Sequence, residues 1–278
     1  MYEASCVGGK SPSGDKRLNL AAKNRRARQK LITGFTATTS KRESILKPEK
    51  TVKKVSGFHQ QGNAGEAGLS FEVELDELYN KYSALKVVEL EGKHRLKTRR
   101  SVLKHVPKGG VGAEIGVFTG MFSEVLVEII QPKKLFLVDP WSQMHGELFP
   151  NWGAYTAHQR LPTEAAKEVV ELRAHYMNTE CTVVESLSID WLNTFERPFL
   201  DWVYLDASHK YDAVMTDLHK ISSRMLPGGL ILGDDCWPQS DKLSKGVATA
   251  LHDFIETTDY EFKHLDEHGQ WAITLCKL

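Results

Sequence analysis

The spacing of apolar residues along the chain becomes regular near residue 70. From there, apolar residues recur at alternating steps of four and three, which is the spacing of an amphipathic helix. The residues concerned are Phe71, Leu75, Leu78, Tyr82 and Leu85. A basic segment, KHRLKTRRSVLKHVP, follows and stops at Pro107. We expect residues 69–108 to form lead-in helices that pack on a main domain over 109–278.

Beyond the lead-in segment, short apolar runs alternate with amphipathic helical segments. The strand-like runs are GVGAEIGV, KLFLVD, CTVVES, LDWVYLDA and GGLILGDD. The helical segments are GMFSEVLVEII, PTEAAKEVVELRAHYM, YDAVMTDLHKISSRML and KGVATALHDFIETT. The chain ends in two further strand-like runs joined by a turn at 267–269. This order predicts an α/β fold whose sheet is mostly parallel, with helices on both faces and an antiparallel hairpin at one edge.

The first 68 residues have a different composition, rich in Lys, Arg, Ser, Thr and Gly. Residues 1–60 carry 14 Lys and Arg against 4 Asp and Glu, so the remainder is net acidic although the whole chain is neutral. Such a segment cannot bury enough apolar area to fold, which predicts a basic, disordered tail over 1–68. A nucleic-acid-binding arm and an organellar transit peptide are the alternatives, and the early Glu3 counts against the second.

The cysteines and the longest apolar stretches of the chain indicate its cellular compartment. The four cysteines are scattered, without a CxxC pair or zinc spacing, and Cys181 and Cys276 are expected in strands as small buried residues. No apolar stretch is long enough to span a membrane, and the amino terminus lacks an apolar signal core. We therefore expect a cytoplasmic protein that does not associate with membranes.

Acidic or small polar residues follow almost every predicted strand. They are Glu114 and Gly116, Asp139, Glu185 and Ser186, Asp206, and the pair Asp234 and Asp235. Ligands of open α/β sheets bind beyond these carboxyl ends of the strands. The sequence therefore places its candidate chemistry at one edge of the sheet.

The first strand leads into the turn AEIGVFTGMFS, where Gly116 and Gly120 allow close approach to a ligand. The turn lacks the G-x-G-x-x-G fingerprint of dinucleotide sites. Asp139 follows 19 residues after Gly120, where an acid can accept hydrogen bonds from both ribose hydroxyls. Taken alone, the glycines fit an ordinary strand–helix turn, but together with Asp139 they indicate a ligand that contains a nucleoside.

Four motifs together, AEIGVFTGMFS, LVDPW, YLDASHKYDAVMTDL and LPGGLILGDDCW, resemble the class I S-adenosylmethionine-dependent methyltransferases. The resemblance covers about residues 105–278 and is to the small-molecule O-methyltransferase branch of macrocin and cephalosporin-pathway enzymes. It implies a Rossmann-like, doubly wound sheet of seven strands. It also implies transfer of a methyl group to a hydroxyl of a sugar, natural-product or catechol-like acceptor.

The resemblance also implies roles for single residues. A loop would hold the methionine portion of the cofactor, Asp139 the ribose and Ser186 the adenine, and Asp206 would lie beside the transferred methyl group. The loop residues are Glu114, Gly116, Phe118, Thr119 and Gly120.

Metal-dependent members of this branch carry an acid after the fourth strand and an acidic pair after the fifth. Asp206, Asp234 and Asp235 match that pattern, and three carboxylates with water suit Mg²⁺. The alternative is that the pair caps a helix or binds Lys210, Lys242 or Lys245.

The chain departs from some metal-dependent relatives, which carry a second acid where this chain has Ser208. His209 follows, and a near-neutral pKa suits it as the base for the acceptor hydroxyl. A structural histidine bonded to the backbone is the alternative. The other candidates, His145, His158 and His175, have weaker claims.

An irregular, aromatic segment, 141–162, is a candidate lid or acceptor pocket. Its Trp141, Phe149, Trp152 and Tyr155 are candidates to stack on an acceptor ring, although a packed insertion loop fits equally.

Two other functions remain open. An RNA or DNA methyltransferase would use the basic tail, but DASH stands where amino-methylating enzymes carry an Asn/Asp-Pro-Pro motif. A non-catalytic cofactor-binding protein would have no need of the acids at the fourth and fifth strands. A homo-oligomer is compatible with the amphipathic helix from Phe71.

Overall fold

A computed structural model describes residues 64–237 and 245–276. Most of the predicted tail 1–68 lies outside the described residues, as does Lys242. The helices of the described part are α1 (Ala64–Lys81), α2 (Ser83–Leu103), α3 (Met121–Ile130), α4 (Trp141–His145), α5 (Thr163–Tyr176), α6 (Ser188–Asn193), α7 (Tyr211–Ser222) and α8 (Lys245–Thr257). Its strands are β1 (Val111–Ile115), β2 (Lys134–Asp139), β3 (Glu180–Glu185), β4 (Leu200–Leu205), β5 (Met225–Gly233), β6 (Tyr260–Leu265) and β7 (Trp271–Leu275).

The described strands form one seven-stranded sheet in the order β3-β2-β1-β4-β5-β7-β6. The first five strands are parallel, and β7 runs antiparallel to both β5 and β6. Gly269, at a φ of 76°, lies in the turn of the β6–β7 hairpin. The predicted fold is confirmed. The order reverses between β1 and β4, so the loops after these two strands open on a shared crevice.

Hydrophobic cores cover both faces of the sheet because successive strand residues point to opposite sides. In β4, Trp202 and Tyr204 belong to the core under α1, α2, α3 and α5, whereas Val203 and Leu205 belong to the core under α6, α7 and α8. The predicted helices on both faces are thus present.

The lead-in helices share the first of these cores. Helix α1 begins at Ala64, so residues 64–68 are helical although the sequence assigns them to the tail. A buried ion pair joins α2 to α5, with Arg173 Nη2 2.8 Å from Glu89 Oε2. Tyr79 of α1 donates a hydrogen bond to the same Glu89 oxygen at 2.5 Å. Three helices are therefore tied together by one carboxylate.

Some short elements differ from expectation. Segment 141–162 contains α4 and a 3-10 helix, Gly153–Thr156, and α6 is also absent from the sequence prediction. Helices of one or two turns show too few apolar repeats to establish a period. Cys181 is buried in β3 as expected, whereas Cys276 follows β7 and is half-buried. Among the described residues no helix is long and apolar enough to cross a membrane.

Candidate active site

The loop between β1 and α3 lies directly against the end of β4. Gly116 and Gly120 have φ values of 88° and 76°, in the region that favours glycine. A Cβ atom on Gly116 would lie 1.9 Å from the carbonyl oxygen of Asp206. Glycine at this position therefore allows the loop and the β4 end to touch.

Asp139, at the end of β2, fixes that loop. Its Oδ2 accepts the N–H groups of Val117 at 2.9 Å and Phe118 at 3.0 Å, and its Oδ1 accepts that of Trp141 at 3.1 Å. Burial raises the pKa of the Asp139 carboxyl, and the backbone donors oppose that shift. The observed role of Asp139 is to hold the loop through these hydrogen bonds. Ribose binding by Asp139 stays a prediction.

The other predicted cofactor residues surround the same loop. Glu114 is 2 % exposed in β1 and accepts a hydrogen bond from the Ser123 hydroxyl; burial raises the pKa of Glu114 to about 8. Thr119 is buried, and its carbonyl oxygen accepts the Nε–H of Arg173 at 3.2 Å. Ser186 donates its backbone N–H to the carbonyl oxygen of Asp139 at 3.1 Å. The structure therefore brings these residues to one edge of the sheet.

An arginine from α2 lies between the acids of β4 and β5. Arg99 Nη2 is 2.6 Å from Asp206 Oδ2, and Arg99 Nε is 2.7 Å from Asp234 Oδ2. All three side chains are largely buried, with 11 to 13 % of each exposed. Burial alone would raise the pKa of Asp206, but Arg99 and then His209 hold it below its usual value.

Arg99 is the site residue that sequence reasoning missed. The sequence suggests lysines nearer to the acidic pair as its partners, whereas Arg99 precedes the pair by more than a hundred residues. A signal was present: Arg99 follows Leu96 by three positions and precedes Leu103 by four, which places it on the apolar face of the helix. A charged residue on such a face needs a buried partner.

The two acids after β5 have separate surroundings. Asp234 Oδ1 accepts the N–H of Asp235 at 2.7 Å and a hydrogen bond from Gln270 Nε2. Asp235 has a φ of 60°, and its Oδ2 lies 3.1 Å from His209 Nε2. One acid of the pair therefore faces Arg99 and the hairpin, and the other faces the histidine.

The predicted metal ligands do not form one site in this arrangement. Ligand atoms of Asp206, His209 and Asp235 lie within 4.8 Å of one another, and Asp234 is not in that group. Two of the three predicted carboxylates are bound to the Arg99 guanidinium. Imidazole is a poor ligand for Mg²⁺, which prefers carboxylate, carbonyl and water oxygens. The three-aspartate set therefore does not fit Mg²⁺ while Arg99 holds this position.

His209 borders both acids and is partly exposed. Its Nε2 lies 3.7 Å from Asp206 Oδ1 in addition to the shorter contact with Asp235. The nearby Asp206 carboxylate raises the pKa of His209, and the charge of Asp235 adds to that effect against the opposing effect of burial. By contrast, the ring of His145 packs on Phe149 and Trp152.

The aromatic segment contributes less to an acceptor pocket than the sequence suggests. Trp141 is fully buried and donates its indole N–H to the carbonyl oxygen of Phe118 at 2.9 Å, and Phe149 is 2 % exposed. Both residues belong to the core. Tyr155 stacks on Phe118 with ring centroids 4.6 Å apart, and Trp152 is 48 % exposed. Of the four, only these last two are not fully buried, and their stacking on an acceptor stays a prediction.

Residues 113–236 match a family model described as a methyltransferase domain. The matched segment runs from β1 through the acids that follow β5, and so contains the loop, Asp139, Asp206 and His209. Residues 113–236 therefore form a methyltransferase domain. This confirms the family resemblance that the four motifs indicate.

Similar solved structures include an O-methyltransferase from Bacillus cereus in complex with S-adenosylhomocysteine, at 12% identity and a TM-score of 0.45, covering 73% of this chain and 90% of that one. Another is described as a caffeoyl-CoA O-methyltransferase from Staphylococcus aureus (14%, TM-score 0.46, 74% and 98% covered). A third is described as an rRNA methylase from Clostridium thermocellum (10%, TM-score 0.45, 64% and 93% covered). No curated protein matches the chain.

Proposed function

We propose that this methyltransferase acts on a hydroxyl group of a small molecule, such as a sugar, a natural product or a catechol-like ring. The observation that carries the proposal is the position of His209 between Asp206 and Asp235, because the backbone of Asp206 lies against Gly116 of the predicted cofactor loop. A hydroxyl must lose its proton during transfer, and a histidine held at a strand end can accept it.

Bound S-adenosylmethionine supplies a methyl group already activated by its positively charged sulfur. The chain's own residues then have to bind, align and exclude water. The loop 116–120 and Glu114 would hold the methionine portion, Asp139 the ribose and Ser186 the adenine. Asp206 would lie beside the methyl group, since its backbone touches Gly116.

His209 is the proposed base, with Asp235 as its positioning partner. A neutral imidazole that donates its Nε2 proton to Asp235 has its lone pair on Nδ1, which is then the atom that accepts the hydroxyl proton. Because the pKa of His209 is raised, its ring loses its proton at a higher pH than an ordinary histidine does. Turnover should therefore rise with pH through that pKa.

Mg²⁺ is not part of this proposal, because its predicted ligands Asp206 and Asp234 are bound to Arg99. A nucleic-acid acceptor held by the basic tail is the alternative function, and cofactor binding without catalysis is a second. The proposed cytoplasmic location and any homo-oligomer rest on the sequence alone.

The test is transfer of a labelled methyl group from S-adenosylmethionine by the full chain. The acceptors offered are glycosides, catechols, polyketide-derived alcohols and, separately, RNA and DNA. We expect label in a small hydroxyl compound, and at least a hundredfold lower turnover in His209→Gln with S-adenosylhomocysteine affinity unchanged. The matched control is His252→Gln, since His252 also borders an aspartate but is 73 % exposed outside the site. Label only in nucleic acid, or binding without transfer to any acceptor, would contradict the proposal.

A further inference from the structure

Helix α2 positions a positively charged side chain at the site that the sequence assigns to a metal ion. It lies outside the matched segment 113–236, yet its Arg99 contacts one acid after β4 and one after β5. Those are two of the three predicted metal ligands. The guanidinium therefore contacts two of the carboxylates that the sequence assigns to a divalent cation.

We propose that Arg99 replaces the divalent cation in this enzyme: it neutralises Asp206 and Asp234, excludes a metal ion, and binds the acceptor oxygen. This inference rests on the proposed function, because it assigns a residue to the acceptor side of the same site. With Arg99 in this role, methyl transfer does not depend on a metal ion.

The buried charges support replacement rather than coexistence. An arginine side chain stays charged in proteins, and Arg99 is 11 % exposed between its two partners. It also lies over the ring of Phe122, 5.5 Å from the ring centroid, which favours a cation. A metal at Asp206 and Asp234 would have to break a buried ion pair and leave a second cation beside it. Both consequences are costly at buried sites.

The remaining donors of Arg99 give it a role toward the acceptor. A guanidinium carries five N–H groups, and the contacts with Asp206 and Asp234 engage Nη2 and Nε. Within the described part of the chain Nη1 has no hydrogen-bond or ion-pair partner, so it can donate to an oxygen of the acceptor. A guanidinium stabilises developing negative charge on that oxygen, but it does not take up the proton, which leaves that step to His209.

The experiment titrates Mn²⁺ alone into the full chain, followed by electron paramagnetic resonance and calorimetry. S-adenosylhomocysteine is titrated in parallel. We expect no saturable Mn²⁺ binding to the wild type below about 1 mM, the weak end of protein Ca²⁺ sites. We expect one Mn²⁺ per chain, bound at least tenfold more tightly, in Arg99→Gln, because the acids then lack their cation. Adding Asp206→Asn to that variant should abolish the binding.

The matched control is Arg100→Gln, which removes the same charge from the next position of α2. Arg100 pairs with Glu128 at the surface, 41 % exposed, and should leave Mn²⁺ binding as in the wild type. Arg99→Lys, which keeps a positive charge, should also exclude Mn²⁺.

One Mn²⁺ bound per wild-type chain and lost in Asp206→Asn would overturn the inference, and this measurement does not depend on whether Arg99→Gln folds. A folded Arg99→Gln that still binds no Mn²⁺ would overturn it as well. Failure of the wild type to bind S-adenosylhomocysteine would instead contradict the proposed function, so the two failures are distinguishable.

Discussion

Replacement of Gly116 by alanine perturbs the contact between the cofactor loop and the end of β4. The new Cβ would lie 1.9 Å from the carbonyl oxygen of Asp206, on a backbone whose φ is 88°. An ordinary contact needs more than 3.4 Å, so the loop and β4 must separate by over an ångström. Both segments are fixed by hydrogen bonds, from the Gly116 N–H to Val138 and from the Asp206 N–H to Ile115.

The loss of stability has two parts. A positive φ costs an alanine about 1–2 kcal/mol, and an added carbon in a packed site costs about 1–3 kcal/mol. Gly116→Ala should therefore lower the free energy of unfolding by about 2–5 kcal/mol. Gly109 provides the control, since its φ is 84° but nothing lies within 4 Å of its Cβ position. Gly109→Ala should lose only the first part.

The assay is urea unfolding followed by circular dichroism, with S-adenosylhomocysteine affinity measured by calorimetry. Gly116→Ala should bind at least about tenfold more weakly, corresponding to about 1.4 kcal/mol, because the loop moves away from Asp206. Gly109→Ala should bind as the wild type does. The reasoning is refuted if the free energies of unfolding of the two variants differ by less than about 0.5 kcal/mol, which is the usual error of additivity, and if the two variants bind S-adenosylhomocysteine equally.

Three further predictions concern the rest of the chain. Arg173→Met leaves the buried Glu89 carboxylate without its ion-pair partner and should lower the free energy of unfolding by about 3–5 kcal/mol. Adding Glu89→Leu should restore part of that loss. Equal losses in the single and the double variant, measured by urea unfolding, would contradict this. Burial raises the pKa of Asp217 to about 6 from 3.8 in the unfolded chain, so its contribution to stability is present below 3.8 and lost as pH rises through 6. Asp217→Asn should remove that loss of roughly 2–3 kcal/mol, seen by urea unfolding from pH 4 to 7.5, while the exposed Asp212→Asn should not. Removing residues 1–60 should leave S-adenosylhomocysteine affinity unchanged in calorimetry, and a large loss would contradict the tail interpretation.

The sheet could be predicted because buried strands carry their own signal. The run KLFLVD coincides with β2, since apolar residues face a core on both sides and charged residues stand at its ends. The hairpin was predictable from the turn at Gly269, where a positive φ favours glycine. Helices long enough to repeat their apolar face, such as α5 and α8, were predictable for the same reason.

The partners of the acids were not predictable in the same way. Strand ends place Asp206 and Asp234 near one another by topology alone, but the identity of the cation depends on how α2 packs across the sheet. In sequence, Arg99 and Arg100 are adjacent and alike. Only the helical phase separates the one that is buried against two acids from the one that pairs at the surface with Glu128.

Because the backbone turns at Asp235, the length of β5 determines what each acid of the pair contacts. A single peptide unit separates a carboxylate that faces a guanidinium from one that faces an imidazole. Inserting or deleting one residue before Asp234 would rotate the strand end and exchange those surroundings, although the number of acids would stay the same. The site is thus specified by register, so two homologous chains with identical acidic pairs can differ in chemistry if their fifth strands end one residue apart.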